Sequence, residues 1–109
     1  MANTFKLKTK ANVGVSTVGI YTAPAATTTV VIGLTLSNTS GSGVNVGVGI
    51  TRAGTTEDVK LLKNAPIPQG SSLEFMGGNK VVLETTDTLT VDSDTNNSVD
   101  AALTIMEIT

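Results

Sequence analysis

The sequence predicts an all-β fold: an antiparallel β-sandwich of about eight to nine short strands, of jelly-roll or immunoglobulin-like type. Three observations carry that expectation. Thr (19), Val (13) and Ile (6) fill 38 of the 109 positions, and β-branched side chains, stiff at χ1, fit a pleated sheet better than a helix. Apolar and polar residues alternate with period two in successive runs. Turn-forming residues interrupt those runs at intervals of roughly 8–12 residues, the spacing of sandwiches and barrels.

The elements follow in order. FKLKTK (5–10) sets Phe5 and Leu7 on one face and Lys6, Lys8 and Lys10 on the other. Residues 1–12 therefore read as an N-terminal basic arm or edge strand, ahead of a single sandwich domain spanning 13–109. STVGIYT (16–22) is the next strand. In TTVVIGLTLSN (28–38), Val30, Ile32, Leu34 and Leu36 oppose Gly33, Thr35 and Ser37; in GVNVGVGITR (43–52), Val44, Val46, Val48 and Ile50 oppose Asn45, Gly47, Gly49 and Thr51. The loop NTSGSG (38–43) between them predicts a β-hairpin with one buried face.

DVKLLK (58–63) is a strand after the turn-like RAGTTE, where Thr55 as an N-cap leaves room for one helical turn. NAPIPQG (64–70) cannot be an inner strand, because Pro66 and Pro68 lack ladder donors, and reads as a crossover between sheets. SSLEFM (71–76), KVVLE (80–84) and TLTVD (88–92) come next, separated by GGN and TTD. SVDAALTIMEI (98–108) closes the chain. Its Val99, Ala101, Leu103 and Ile105 form one apolar face, and Ala102, Met106 and Ile108 make the other nearly apolar too. Such a strand is buried on both sides or covers a contact with another chain.

A chain of 109 residues suits one domain with a modest core. The absence of cysteine removes any disulfide framework or thiolate metal site. MANTFKLKTK has no apolar h-region, so no export signal is read. No apolar run approaches the roughly 18 residues needed to span a bilayer. Soluble expression, without membrane insertion, is the expectation. Net charge is −2, but Lys6, Lys8 and Lys10 make the first twelve residues basic, while Glu84, Asp87, Asp92, Asp94, Asp100 and Glu107 make the last stretch acidic. A basic end and an acidic end suit head-to-tail contact between subunits; solvated faces that confer solubility are the competing explanation.

Site chemistry is sparse. In VDSDTNNSVD (91–100), Asp92, Asp94, Asn96 and Asp100 are the ligands the sequence offers to a calcium ion. A helix-flanked calcium loop wants Gly at its sixth position and Glu at its twelfth; counted from Asp92, these are Asn97 and Leu103. Asp and Asn that fold back on their own amides make a turn instead, and the turn outweighs the metal. No metal or other cofactor is expected. Without His or Cys, an enzyme would lack its commonest base and most reactive nucleophile. Carboxylate pairs could still hydrolyse sugars, but these acids sit in turns or on solvent-facing positions with no aromatic platform. The glycines of SGSG and GVGIT precede no helix and so form no phosphate loop. One basic cluster and three aromatics, Phe5, Tyr21 and Phe75, argue against nucleic acid.

Features suited to packing against neighbours remain. The amphipathic strand Phe5–Lys10 can join another sheet edge or simply guard its own with lysines. Gly47 and Gly49 leave a flat patch for another backbone. Together with Ala102, Met106 and Ile108, these residues are the expected protein interface of a homo-oligomer.

The segments 21–51, 61–75 and 80–94 resemble small structural proteins of tailed bacteriophage virions, especially marine phages. The shared pattern is Tyr21-Thr22-Ala23-Pro24-Ala25, Asn38-Thr39-Ser40, Ile67-Pro68-Gln69-Gly70-Ser71-Ser72-Leu73-Glu74 and Thr86-Asp87-Thr88-Leu89-Thr90-Val91, with Thr86 where Gly is usual. The resemblance implies a virion component without catalytic residues, bound to capsid or other virion proteins. Its leading form is a head decoration (cement) protein on the capsid exterior. The alternatives are a tail, neck or fibre-associated module and a calcium-dependent binding module.

Overall fold

The computed structural model describes residues 2–52, 57–74 and 80–109, and among them extended chain predominates. The strands are β1 (Asn3–Val13), β2 (Val18–Thr22), β3 (Thr28–Asn38), β4 (Val44–Arg52), β5 (Glu57–Ile67), β6 (Ser72–Glu74), β7 (Val81–Leu83), β8 (Asp87–Ser93) and β9 (Val99–Ile108). The first sheet runs β1-β9-β3-β6, with β7 also paired to β3; the second runs β2-β8-β4-β5. Every ladder is antiparallel.

The pairings discriminate between the two sandwich types. β1 pairs β9, β2 pairs β8, β3 pairs β6 and β7, and β4 pairs β5. The described strands thus form one long antiparallel ribbon, doubled back between β4 and β5. Wrapping that ribbon adds the β3–β9 and β4–β8 ladders. This is a jelly roll.

Wrapping corrects the expected hairpin. β3 lies in the first sheet and β4 in the second, so residues 39–43 cross between sheets that stack about 10 Å apart. Asn38 holds the crossing. Its Nδ2 donates to the carbonyls of Ser42 and Ile67, and its Oδ1 accepts from the Ser40 amide and hydroxyl. Alternation reveals which face a side chain takes, not which strand its backbone pairs with.

A β-bulge corrects the face assigned to the first half of β3. Val31 opposes Ile105 and Gly33 opposes Thr104, leaving Ile32 as the extra residue. The buried positions are therefore Thr29, Val31, Leu34 and Leu36, while Val30 and Ile32 are half-buried. One inserted residue reverses the side-chain parity of everything before it. Residues 64–67 also differ from expectation. They extend β5, with Ala65, Pro66 and Ile67 opposite Val46, Asn45 and Val44. Pro66 is tolerated because β5 is an edge, and the crossover begins only after Ile67. Residues 57–62 are strand, not a helical turn; Thr55 lies outside the described residues, as do Phe75 and Met76.

Between the sheets Val31, Leu34, Leu36, Leu103 and Ile105 meet Val46, Val48, Leu89 and Val91, all fully buried. Each contributes on the order of 1.5–3 kcal/mol through burial. β9 sits centrally between β1 and β3, which explains its two apolar faces: Val99, Ala101, Leu103 and Ile105 are buried, while Ala102, Met106 and Ile108 are half-buried on the outer face.

One turn explains an oddity of the sequence. Thr86 has φ +71, a left-handed conformation that a β-branched residue adopts only under strain. It is the position where the resembling motif carries Gly, whose missing Cβ removes that strain. Thr86 is held there by its amide donating to the Ala23 carbonyl and by the Asp87 amide bonding Glu84.

Candidate interaction surface

Directly opposed residues in antiparallel strands share a face. Phe5 opposes Met106, Met106 opposes Val30, and Val30 opposes Val82. Four strands thus place an unbroken apolar row across the outer face of the first sheet. Phe5 is 68% exposed and Val82 55%. The next row adds Leu7, 65% exposed, beside Thr104 and Gly33. Further along, Thr9, Ala102 and Thr35 make a smooth row, leading to a shallow depression of about 250 Å³ between Lys10, Ser37, Asp100 and Ala102. Ile108 lies at the opposite end, between Asn3 and Thr28.

Of the ten residues expected at an interface, the fold brings together Phe5, Leu7, Ala102, Met106 and Ile108. It adds Val30 and Val82, which the sequence hid. Val30 was assigned to the core by an alternation that the bulge breaks, and Val82 falls in a three-residue strand too short to show a period.

Lys6, Lys8 and Lys10 oppose Ile105, Leu103 and Ala101 and share the inner face of the first sheet. Such inward-turned charges at an edge discourage unwanted strand pairing. Lys6 also reaches Glu107, with Nζ 2.9 Å from Oε1. Antiparallel pairing of the first strand with the last therefore places this basic segment beside the acidic one, and the poles inferred from the sequence partly neutralise within one molecule.

Gly47 and Gly49 require correction as an open patch. Both are buried in β4, between β5 and β8. A Cβ on Gly47 would meet the Asp92 carboxylate at 2.6 Å, and one on Gly49 would meet the Val59 carbonyl at 2.9 Å. Neighbouring strands of the same chain already fill the space that these glycines leave.

The candidate metal ligands are dispersed. Asp92 lies on the second sheet opposite Gly47 and accepts from the Thr17 hydroxyl. Asp94 accepts from the Asn45 amide. Asn96 packs beside Gly14. Asp100 opposes Ser37 in the first sheet and accepts from the Asn12 amide. Among the described residues no three acidic side chains group as a metal site would require. The segment closes instead on itself: Ser93 and Ser98 hydroxyls meet at 2.6 Å, and Asn97 turns the chain at φ +51.

A buried polar network caps one end of the core. Glu107 follows the inward parity of Val99 to Ile105 and is only 6% exposed. The Tyr21 hydroxyl donates to Glu107 Oε2 at 2.6 Å and lies 2.8 Å from the Thr29 hydroxyl. Burial, then the hydrogen bond to Glu107, pushes the Tyr21 hydroxyl up to about 12. The bond from Tyr21, then the one from Lys6, holds Glu107 below the usual carboxylate range. A parity count from Val99 would have marked Glu107 as buried; nothing local in the sequence names its partners. Arg52 bonds Asp87 at 3.1 Å and also Glu84, with Asp87 buried, beside a depression of about 270 Å³. Its charge is fully used by these two partners.

No protein-family model matches the chain, and no curated protein matches its sequence. Among solved structures it is similar to a protein of Bacillus endospore appendages, described as a novel family of disulfide-linked pili. The TM-score is 0.57 at 14% identity, over 99% of this chain and 87% of that one. The infectious bursal disease virus Gx strain gives 0.48 at 11% identity, over 97% and 29%. The virus-like particle of the extra small virus of the giant freshwater prawn, Macrobrachium rosenbergii, gives 0.42 at 13%, over 98% and 80%. The first likeness shows a shared fold; the other two are too distant to carry an argument.

Proposed function

We propose that the chain is a non-enzymatic structural subunit of a tailed-phage virion, a head decoration protein that lays the outer face of its first sheet against the capsid exterior. The observation that supports this most directly is the apolar row Phe5–Met106–Val30–Val82, exposed at both ends on a sheet face. A contiguous exposed apolar strip marks a surface that is covered in use. The sparse site chemistry, with neither His nor Cys, favours scaffolding over turnover. The appendage protein that shares the fold belongs to disulfide-linked pili; this chain has no cysteine, so its contacts are made without disulfides and gain strength from repetition over many subunits.

The test is to locate the protein in purified particles and count its copies. Decoration predicts a number comparable to that of capsid subunits, on the head surface. A few copies at the neck, tail or fibres would overturn decoration and assign the alternative role. Phe5→Lys combined with Val82→Lys should abolish particle binding by a protein that remains folded by circular dichroism; binding at wild-type occupancy would exclude this face.

A further inference from the structure

The free edge of β1 has an unusual combination of features. Ala2 and Thr109 exchange both backbone hydrogen bonds, at 3.2 and 3.0 Å. The register then runs without a shift from Asn3 opposite Ile108 to Lys10 opposite Ala101. Antiparallel ladders alternate between bonded and non-bonded pairs. Thr4, Lys6, Lys8 and Lys10 therefore spend their backbone groups on β9, while Asn3, Phe5, Leu7 and Thr9 direct theirs away from the sheet. Among the described residues no strand pairs with that side of β1.

The other edges are blocked. β5 carries Lys60, Lys63 and Pro66 and two register shifts. β2 is five residues long with a shift of its own. β6 and β7 have three residues each. Only β1 offers a long regular edge among the described strands. A second copy of β1 fits it poorly: matching free backbone groups to free backbone groups sets odd residues opposite odd and even opposite even, and the registers of longer overlap then set lysine opposite lysine, which repels.

We propose that the free edge of β1 is a strand-addition site for an extended segment of a partner protein in which apolar and acidic residues alternate. Apolar residues of that segment would bond to the backbone of Phe5, Leu7 and Thr9 and extend the exposed apolar face. Acidic residues would fall opposite Lys8 and Lys10, in the non-bonded pairs where side chains approach most closely. Lys6 is already committed to Glu107; Lys8 and Lys10 form no ion pair among the described residues and supply the charge complement. The inference deepens the structural-subunit reading and rests on it for the kind of partner, but its binding chemistry is tested separately.

The probe is a short synthetic peptide of alternating valine and glutamate, fluorophore-labelled and read by anisotropy against the full chain. N-methylation provides the decisive control. Methyl groups on the glutamates point away from β1, leave binding intact and keep the peptide from self-pairing. Methyl groups on the valines block the ladder and should abolish binding. Charge reversal by Lys8→Glu with Lys10→Glu should weaken the valine–glutamate peptide at least about tenfold and favour a valine–lysine peptide instead. No binding of the glutamate-methylated peptide, equal binding of both methylated forms, or indifference to charge reversal in a folded variant would each overturn the proposal. Particle copy number is independent of these measurements, so failure of the peptide and failure of the decoration role are told apart.

Discussion

Titration of the single tyrosine tests the buried network directly. Tyr21 is 7% exposed and donates to a carboxylate. Ionising it would leave a phenolate facing the Glu107 carboxylate inside the protein, with the Thr29 hydroxyl as its donor. Its pKa accordingly rises from 10.0 to about 12. Two pKa units correspond to about 2–3 kcal/mol. Above pH 10 the unfolded chain releases the phenolic proton while the folded chain keeps it, so stability falls as pH rises. The contribution is complete below pH 10 and gone once the pH has passed about 12. The chain has one Tyr and no Trp, so near-ultraviolet phenolate absorbance reports this residue alone. The native protein should titrate near 12 and the denatured protein near 10. Tyr21→Phe should be less stable at neutral pH, by about 1–3 kcal/mol for the Glu107 and Thr29 partners it strands, and should lose the wild type's steep decline above pH 10. A native titration near 10 would refute the buried hydrogen bond.

Other expectations follow from particular contacts. Because Glu107 is held below the ordinary carboxylate range, its contribution is present above the unfolded Glu pKa and lost as pH falls through the depressed folded value. Glu107→Gln should therefore flatten the acid limb of a melting profile and lower the Tyr21 titration part of the way, since burial remains. Thr86→Gly should raise stability by about 1 kcal/mol by relieving the left-handed strain, measured by denaturant unfolding; destabilisation would mean that the threonine is not strained. Gly49→Ala should cost about 1–3 kcal/mol, because its Cβ would press on the Val59 carbonyl, while Gly41→Ala, with open space around it, should be silent. Calcium or chelator should leave the melting temperature unchanged, because Asp92, Asp94 and Asp100 serve their own loops and strands; a rise with calcium would restore the metal reading.

Period-two alternation made the strands legible, along with most inward faces of β4 and β9, because the two-residue repeat is a local property of extended chain. Partnership was not legible. NTSGSG is equally good as a hairpin loop or a crossing between sheets, and Asn38 decides for the crossing by bonding the Ile67 carbonyl, 29 residues distant. The bulge at Ile32 was likewise invisible, since the unequal count appears only when β3 lies against β9. Gly47 and Gly49 illustrate the same limit from the other side. Outward parity was correct, but openness depends on Asp92 and Val59, which come from other strands. Pairing, and with it much of the proposed surface, is a non-local property.

The same non-locality governs how the surface has to be probed. Read from sequence alone, residues 1–12 are a basic arm or an edge strand, and an arm could be removed without harm to the fold. In the structure β1 completes a ladder on β9 and brings Lys6 to Glu107. Removing it would bare the backbone of β9 and strip one partner from a buried carboxylate, which costs more than a surface change. Loss of binding by such a truncation would not separate a missing contact from a damaged fold. Phe5 and Leu7 avoid that ambiguity. Both are mostly exposed, and β1 holds its register through backbone bonds and through Lys6. Their replacement changes what a partner meets while leaving the ladder in place, so point substitutions there, rather than truncation, decide whether the outer face and free edge of the first sheet are surfaces of assembly.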